Sequence, residues 1–532
     1  MGAAFVLSCR LYQSFTWLLP WPYMGSAQSR VEIRPLLSCL FRMHNNHNIL
    51  FHHHPARLWA LPVALACAVF ITGCSHTSQF AGQSEAVAVP AQWNSTGAAP
   101  QLQTPQDLSR WWQLFGDAQM TGLIEQALQA NSSIQSAQAA LRQARAQLNV
   151  QEANLLPSVG SSAGASRSRQ GNNDAGNRYN AGIDASWEPD WWGRKDNAVQ
   201  AGEANVAAAL ATLEGTHVSL AAEVAQTYIG LRSLQNRLRI AQDNLAIQRE
   251  NQQITEWRVQ AGLATSLDAE QARSSTAQTA AQIPALQTSM AQSRHALAIL
   301  TGQVPAALAG VLMAAQALPV APANLAMTLP VATLSQRPDV RVQEQRVIAA
   351  VANLSAQERA NFPSLRLGGS LGLSALTVGA LTNGASVAAS LAASLSAPLF
   401  DGGANRAQIQ IQQAAVEQAR INYRATVLTA LQEVEDALVQ LQGDQERLVQ
   451  LQISEEAARN AQLLANQRYS SGLVDFQTVL DTQRTLLSSQ DSVANGQAAI
   501  STDYVRLYKA LGGGWQPLGV DGQDISNATV QP

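Results

Sequence analysis

Two long stretches of this chain, residues 193–261 and 404–471, run without a proline. In the first, small or apolar side chains return at alternating steps of three and four, at Val224, Thr227, Leu231, Leu234, Leu238, Ala241 and Leu245. That spacing is a coiled-coil seam. A helix of about 69 residues, rising about 1.5 Å per residue, is a rod of roughly 100 Å and cannot be folded into a compact globule. The chain is therefore expected to be built around long helical hairpins. Its 13% charged and 5% aromatic content suits close helix neighbours better than a thick aromatic core.

Residues 111–514 contain a tandem duplication, with a period of about 210 residues. "EANLLPS" at 152–158 returns as "RANFPS" at 359–364, and "SWEPDWWGRKDN" at 186–197 returns in shape as "SAPLFDGGANR" at 396–406. "RVQAGLATSLDAEQAR" at 258–273 is answered by "RYSSGLVDFQTVLDTQR" at 468–484, and "ILTG" at 299–302 by "ALGG" at 510–513. Each copy, 111–302 and 334–514, follows one plan: helix, β-hairpin (157–187 and 364–396), very long helix, turn, helix. The Pro-rich segment 303–333, with Pro305, Pro319, Pro322 and Pro330, reads as a crossing linker, and 515–532 as a polar tail.

The hairpin segments alternate strictly. One face carries Pro157, Val159, Ser161, Ala163 and Ala165; then Tyr179, Ala181, Ile183, Ala185 and Trp187; then Leu365, Leu367, Gly369, Leu371 and Leu373; then Val387, Ala389, Leu391, Ala393 and Leu395. Gly, Ser, Asn and Asp dominate the other face. Segments of about ten residues with polar tips ("RQGNNDAGNR", "LTNGAS") are patterned to face lipid outside and water inside. Tyr179 and Trp187, eight residues apart, lie roughly 26 Å from one another at about 3.3 Å per residue, the separation of two aromatic girdles. The charge-free run between Arg366 and Asp401 invites a membrane-helix reading, but its Gly and Ser content and period of two favour strands. Four strands cannot close a barrel, and an open edge in lipid leaves backbone groups unpaired at several kcal/mol apiece. The chain is expected to oligomerise: two copies give eight strands and a filled interior, three give twelve and a usable pore, and composition does not choose.

The first seventy residues differ from the rest. They hold Arg10, Arg30, Arg34, Arg42 and Arg57 against Glu32 alone, and five of the eight histidines, including His52–His54. No other ligand type lies near those histidines, so a metal site is not expected. A basic region, the apolar run "LWALPVALACAVF" and "ITGC" make residues 1–73 a secretory signal, too short in its apolar part to span a bilayer. Met43 stands at a suitable distance to start it, with residues 1–42 an over-long extension. "ITGC" resembles the lipobox of bacterial lipoproteins, which implies cleavage before Cys74 and diacylglycerol and N-acyl lipid on that cysteine. A chain cut there keeps no other cysteine, because Cys9, Cys39 and Cys67 are removed. It retains 29 basic and 36 acidic residues, a net charge of −7, with Ser75 next in line as in lipoproteins sorted to the outer membrane. Residues 74–110 read as a lipidated linker. The acidic balance gives no footprint for nucleic acid.

These features, with "RWWQLFGDAQMTGLIEQALQAN" at 110–131, "SWEPDWWGR", "APLFDGGANR" and the paired tip motifs, resemble the TolC-type outer-membrane factors of tripartite efflux systems. The likeness runs from Cys74 to about Trp515 and is to the lipoprotein branch that includes the NodT and OprM proteins. It implies a mainly α chain with a transmembrane β-barrel: a homotrimer whose hairpins form a periplasmic α-barrel and whose strands, four per chain, form a twelve-stranded barrel. It also implies two further partners, a periplasmic adaptor protein and an inner-membrane pump, commonly of the resistance-nodulation-division type. The duct would be a passive exit for drugs or other small molecules.

The family pattern places function at the two tips. Gly262 and Leu263, and Gly472 and Leu473, would turn the hairpins and meet the adaptor. Asp481 matches the aspartate that rings the constricted mouth, with Arg484 one turn on and able to pair with it. Three such carboxylates about one axis would leave a negative field and a narrow, cation-preferring gate. Asp268 and Tyr469 match a carboxylate–phenol link between neighbouring hairpins. This chain departs from the TolC protein at Val474, where that protein has a tip arginine, and at Thr478, where it has a second inner aspartate.

Competing readings are weaker. "GGSLG" at 368–372 fits a nucleophile pattern, but the strand continues instead of turning into a helix, and no histidine follows His295. The sequence also lacks GxxxxGK[ST] and HExxH, so neither catalysis nor a cofactor is expected. A periplasmic coiled-coil adaptor lipoprotein would have no use for lipid-patterned strands. The exit duct of a type I protein secretion system would share the same architecture.

Overall fold

The computed structural model describes residues 108–169, 171, 174–320, 334 and 336–515, all within the unit Glu85–Pro532. The signal 1–73, Cys74, most of the lipidated linker, residues 321–333 of the crossing linker and nearly all of the tail lie outside the described residues.

A 3-10 segment, Leu108–Phe115, leads into α1 (Ala118–Ala130) and α2 (Ser132–Ala153), which precede the hairpin β1 (Ser158–Ser168) and β2 (Gly176–Trp187). The rod α3 (Arg194–Gln260) and its return α4 (Ser266–Leu300) follow. The second copy runs α5 (Pro338–Arg359), β3 (Ser364–Ala375), β4 (Val387–Ser396), the rod α6 (Ala404–Ser470) and its return α7 (Phe476–Ala510). Both rods have 67 residues, about 100 Å each. Both also begin alike, after a left-handed glycine, Gly193 or Gly403, with an upstream aspartate accepting from backbone N–H groups of the first turn.

The copies are not identical. α1 and the 3-10 segment have no counterpart in the second copy among the described residues, and they supply much of the single dense core. There Trp111 stacks on Tyr508 with centroids 5.4 Å apart, and Trp112, Phe115, Met120 and Ile124 close around Tyr228, Ile229, Leu297 and Val505. The crossing linker joins this core through Leu308 and Leu312. Buried Arg232 ties the parts together, with Nη1 donating to Gln235 Oε1 at 2.6 Å and Ala314 O at 2.8 Å, and Nη2 donating to Gln119 and Gln316. The coiled-coil spacing holds, with Val224, Leu231, Ala241 and Leu245 buried.

The four strands form one antiparallel sheet in chain order. Its registers place the expected apolar positions in common rows, with Val159 opposite Ala185, Ile183 opposite Leu371, Leu367 opposite Ala393 and Leu373 opposite Val387, while Pro157 falls just before β1 and is unpaired in the sheet. The other face is a polar row, in which Ser162 donates to Asp184 at 3.1 Å and Ser370 meets Ser390 at 2.7 Å. Among the described residues nothing covers the apolar face: Ile183, Leu371, Leu391 and Leu395 are all exposed. β1 and β4 remain open edges.

Hairpin two carries a buried carboxyl pair. Asp503 on α7 faces Asp444 on α6, with Arg506 donating to Asp503 at 3.1 Å and Gln440 to Asp444 at 2.7 Å. Burial first, then the hydrogen bond and charge of Asp444, push the Asp503 carboxyl from 3.8 up to about 6, against the pull of Arg506. The folded state thus holds this proton more tightly than the unfolded chain. The destabilisation is full above about pH 6 and fades as pH falls toward 3.8. Asp503→Asn is expected to raise the apparent melting temperature at pH 7.5 by about 2 °C or more, with the gain shrinking toward pH 4 in scanning calorimetry.

Candidate mouth of the helical hairpins

Both hairpins end in the same backbone motif. Gly262 and Gly472 each take φ 72°. Leu263 N donates to Arg258 O at 2.7 Å and Gly262 N to Val259 O at 3.0 Å, while Leu473 N donates to Arg468 O at 2.9 Å and Gly472 N to Tyr469 O at 3.0 Å. These are paired Schellman stops, in which the last carbonyls of a helix are satisfied by a left-handed residue that only glycine adopts without strain. They leave Leu263 and Leu473 70% and 75% exposed, so each tip presents an apolar side chain to the outside.

The return helices start with the same two residue types in exchanged places. Thr265 caps α4 by accepting from Asp268 N, and Asp268 Oδ2 accepts in turn from Thr265 N at 3.0 Å, a complete capping box. At α7 the cap is Asp475, accepting from Thr478 N at 2.9 Å and from the Thr478 hydroxyl at 2.6 Å. Those hydrogen bonds hold the Asp475 carboxyl below its usual range. Thr478, one of the positions at which this chain departs from the TolC protein, is the second half of a swapped cap.

Asp481 lies one turn further on, exposed, accepting from Gln477 Nε2 at 3.0 Å. Arg484 is beside it, but the ion pair is loose at 3.9 Å between two exposed groups, which contributes little in water. A depression of about 260 Å³ opens beside Asp481, walled by Thr478, Thr482 and Thr485.

Asp268 and Tyr469 are not joined by a hydrogen bond within the chain. The ring of Tyr469 instead lies under the Arg258 guanidinium, 4.5 Å from its centroid, and against Phe476 at 5.4 Å. Phe476, Val479 and Leu480 with Ala272 and Ala465 make a small tip core of their own. Arg258 is the tip residue that sequence reasoning missed, since a basic residue in the last turn of a helix is ordinary. The available signal was a period of seven: Arg237, Asn244, Asn251 and Arg258 all lie on one stripe of α3. Arg237 holds Asp491 of α7 through two bonds, at 2.5 and 3.1 Å, and Asn244 donates to Gln490 at 2.9 Å. Between these rungs and the tip, buried Gln483 and Gln248 have amide atoms with no protein hydrogen bond, as does Asn251 Nδ2. The seam between the two hairpins is thus polar, and part of its hydrogen bonding is unmet.

At the other end of the rods, Trp187 donates from Nε1 to Leu155 O at 2.9 Å, marking the helix-side rim of the sheet, and half-buried Tyr179 marks the far rim. Trp191, Trp192 and Phe362 add to the helix-side rim. Among the described residues no cluster of ligating side chains could hold a metal, and no helix is long and apolar enough to cross a membrane.

Known proteins share this arrangement. The family described as outer membrane efflux protein matches residues 123–303 and 329–513, the two copies of the repeat. The pyoverdine export outer membrane protein OpmQ of Pseudomonas putida is 33% identical over 482 residues, covering 87% of this chain and 98% of its own length. The probable outer membrane lipoprotein SilC of Salmonella typhimurium is 29% identical over 438 residues, covering 80% and 93%. The solved structure of the outer-membrane channel OprN superposes with a TM-score of 0.76 at 34% identity, over 80% of this chain and 98% of that one.

The Arg258–Tyr469 contact can be told apart from a hydroxyl-mediated link. Arg258→Gln is expected to speed hydrogen exchange at the tip amides by about two- to five-fold, the loss of roughly 0.5–1 kcal/mol. Tyr469→Phe should leave exchange unchanged because it keeps the ring, and Tyr469→Leu should speed exchange at least as much as Arg258→Gln, since it also loses the contact with Phe476.

Proposed function

Because this chain belongs to the outer membrane efflux protein family and is an outer-membrane efflux channel, we propose that it is the passive exit duct of a tripartite pump, gated at the hairpin tips by Asp481. The fold is that of the family's trimeric channels, mainly helical with a transmembrane β-barrel to which each chain gives four strands. The observation that carries the duct reading is the distance between functions on one chain. A lipid-patterned sheet stands at one end of rods of about 100 Å, and paired leucine-bearing turns stand at the other.

In this reading a periplasmic adaptor protein seats on Leu263 and Leu473, and an inner-membrane pump of the resistance-nodulation-division type supplies the energy. The duct itself carries out no chemistry. Cys74, acylated, anchors each chain to the outer membrane. Around the three-fold axis the Asp481 carboxylates lie close enough to repel, which favours passing cations, and Arg484 is too loosely paired to neutralise them. The lipobox at 71–74 favours small molecules over secreted polypeptides as cargo.

Single-channel conductance in a planar bilayer tests the gate. The wild-type oligomer should give a small, cation-selective conductance, and Asp481→Ala a several-fold larger one with weaker selectivity. A wide pore indifferent to the substitution would remove Asp481 from the gate while leaving the duct. In cells, Leu263→Asp with Leu473→Asp should abolish efflux without loss of the assembled trimer, measured as drug accumulation beside cross-linking to the adaptor.

A further inference from the structure

Where the sheet meets the helices there is a cavity of about 750 Å³. Its upper wall includes Leu365 and Leu395, which the register pairs on the apolar face of the sheet. Its side is aromatic: Trp192 stacks on Phe362 at 5.1 Å and donates from Nε1 to Pro363 O at 2.6 Å, while Trp191 stands 73% exposed at the edge. Its lower wall is charged, with two guanidinium groups and two carboxylates. An apolar wall continuous with lipid-facing strands, an aromatic rim and a charged floor are the successive layers of a membrane interface.

The charges are unequally committed. Arg194 is bound to Glu188 at 3.0 Å, and Lys195 lies 3.8 Å from the same carboxylate. Arg359 uses Nη1 on the carbonyls of Trp192 and Gly193, at 2.9 and 3.2 Å. Among the described residues its Nε and Nη2 hydrogens make no further bond. Asp190 uses Oδ2 on Asp196 N at 2.7 Å, which leaves Oδ1 uncommitted. One positive and one negative group thus remain available, both lining the cavity beneath the apolar wall.

We infer that this cavity is a binding site for a zwitterionic phospholipid of the periplasmic leaflet. The phosphodiester would meet Arg359, the headgroup ammonium Asp190, and an acyl chain would run up over Leu365 and Leu395. The strands end here and the rods begin here, so the site lies at headgroup depth of the inner face of the outer membrane. Opposite charges lining one cavity fit a phosphate and an ammonium on one headgroup better than an anionic lipid, which would set a bare carboxylate against its phosphate. Bound lipid would fix the height at which the barrel sits relative to the periplasmic duct.

The test is native mass spectrometry of the mature oligomer released from nanodiscs of equimolar palmitoyl-oleoyl phosphatidylethanolamine and phosphatidylglycerol. The wild type should retain phosphatidylethanolamine in several-fold excess, about one per chain. Asp190→Asn should erase the preference between the two lipids, Arg359→Gln should lower retention of both, and Trp191→Ala, which removes only an exposed side chain, should weaken retention while the oligomer persists. Equal retention of the two lipids by wild type, or retention unaffected by Asp190→Asn and Trp191→Ala, would overturn the inference. So would a Trp191→Cys variant that cross-links to a neighbouring chain and escapes quenching by a headgroup-labelled lipid, because the cavity would then be covered by a second copy.

Discussion

An unpaired backbone edge is intolerable in hydrocarbon, and that constraint orders this molecule. The four strands pair β1 to β2 to β3 to β4 and stop, leaving a row of N–H and C=O groups on each outer strand. Their apolar face has no cover among the described residues. Lipid satisfies the face and other copies satisfy the edges, so membrane insertion and oligomerisation are one requirement. The long rods follow from it, because a duct ending in the outer membrane must reach across the periplasm to be fed.

Such rods cannot stabilise themselves by length alone, since small seam residues bury little area each. The dense core is instead gathered at one level, where Trp111, Trp112 and Phe115 close over the middle of α3 and the end of α7. This is also where the duplication breaks down, because the extra helix α1 and the crossing linker fill space that two symmetric copies would leave open. Arg232 fastens both additions to the rod. Away from that level the hairpins are held by less, and at the mouth by a small cluster around Phe476 and a polar seam. Polar groups that can exchange one another for water part more easily than apolar ones, which fits the gate proposed at this end.

The two tips show how a duplicated design diverges without losing geometry. Both keep the glycine stop and the exposed leucine. Threonine and aspartate exchange between Thr265–Asp268 and Asp475–Thr478, and either order satisfies the first turn of a helix. Asp268 is consequently engaged in its own cap, and Tyr469 finds a cation from the other hairpin.

Much of this was legible in the residue order. The absence of proline and the three–four spacing determined the rods to within a residue or two. The period of two determined which strand residues share a face, and glycine followed by leucine determined the turns. These are local properties, set by backbone sterics and by which side of an element is apolar, and a linear sequence carries them in full. Tertiary structure alone decided that Arg258 covers Tyr469, that the linker residues Leu308 and Leu312 belong to the core, and that Arg359 and Asp190 share one cavity. Arg258 and Tyr469 are 211 positions apart and Asp190 and Arg359 are 169 apart, and no local pattern specifies such pairings, because side-chain partners at that separation are chosen by how helices and strands pack.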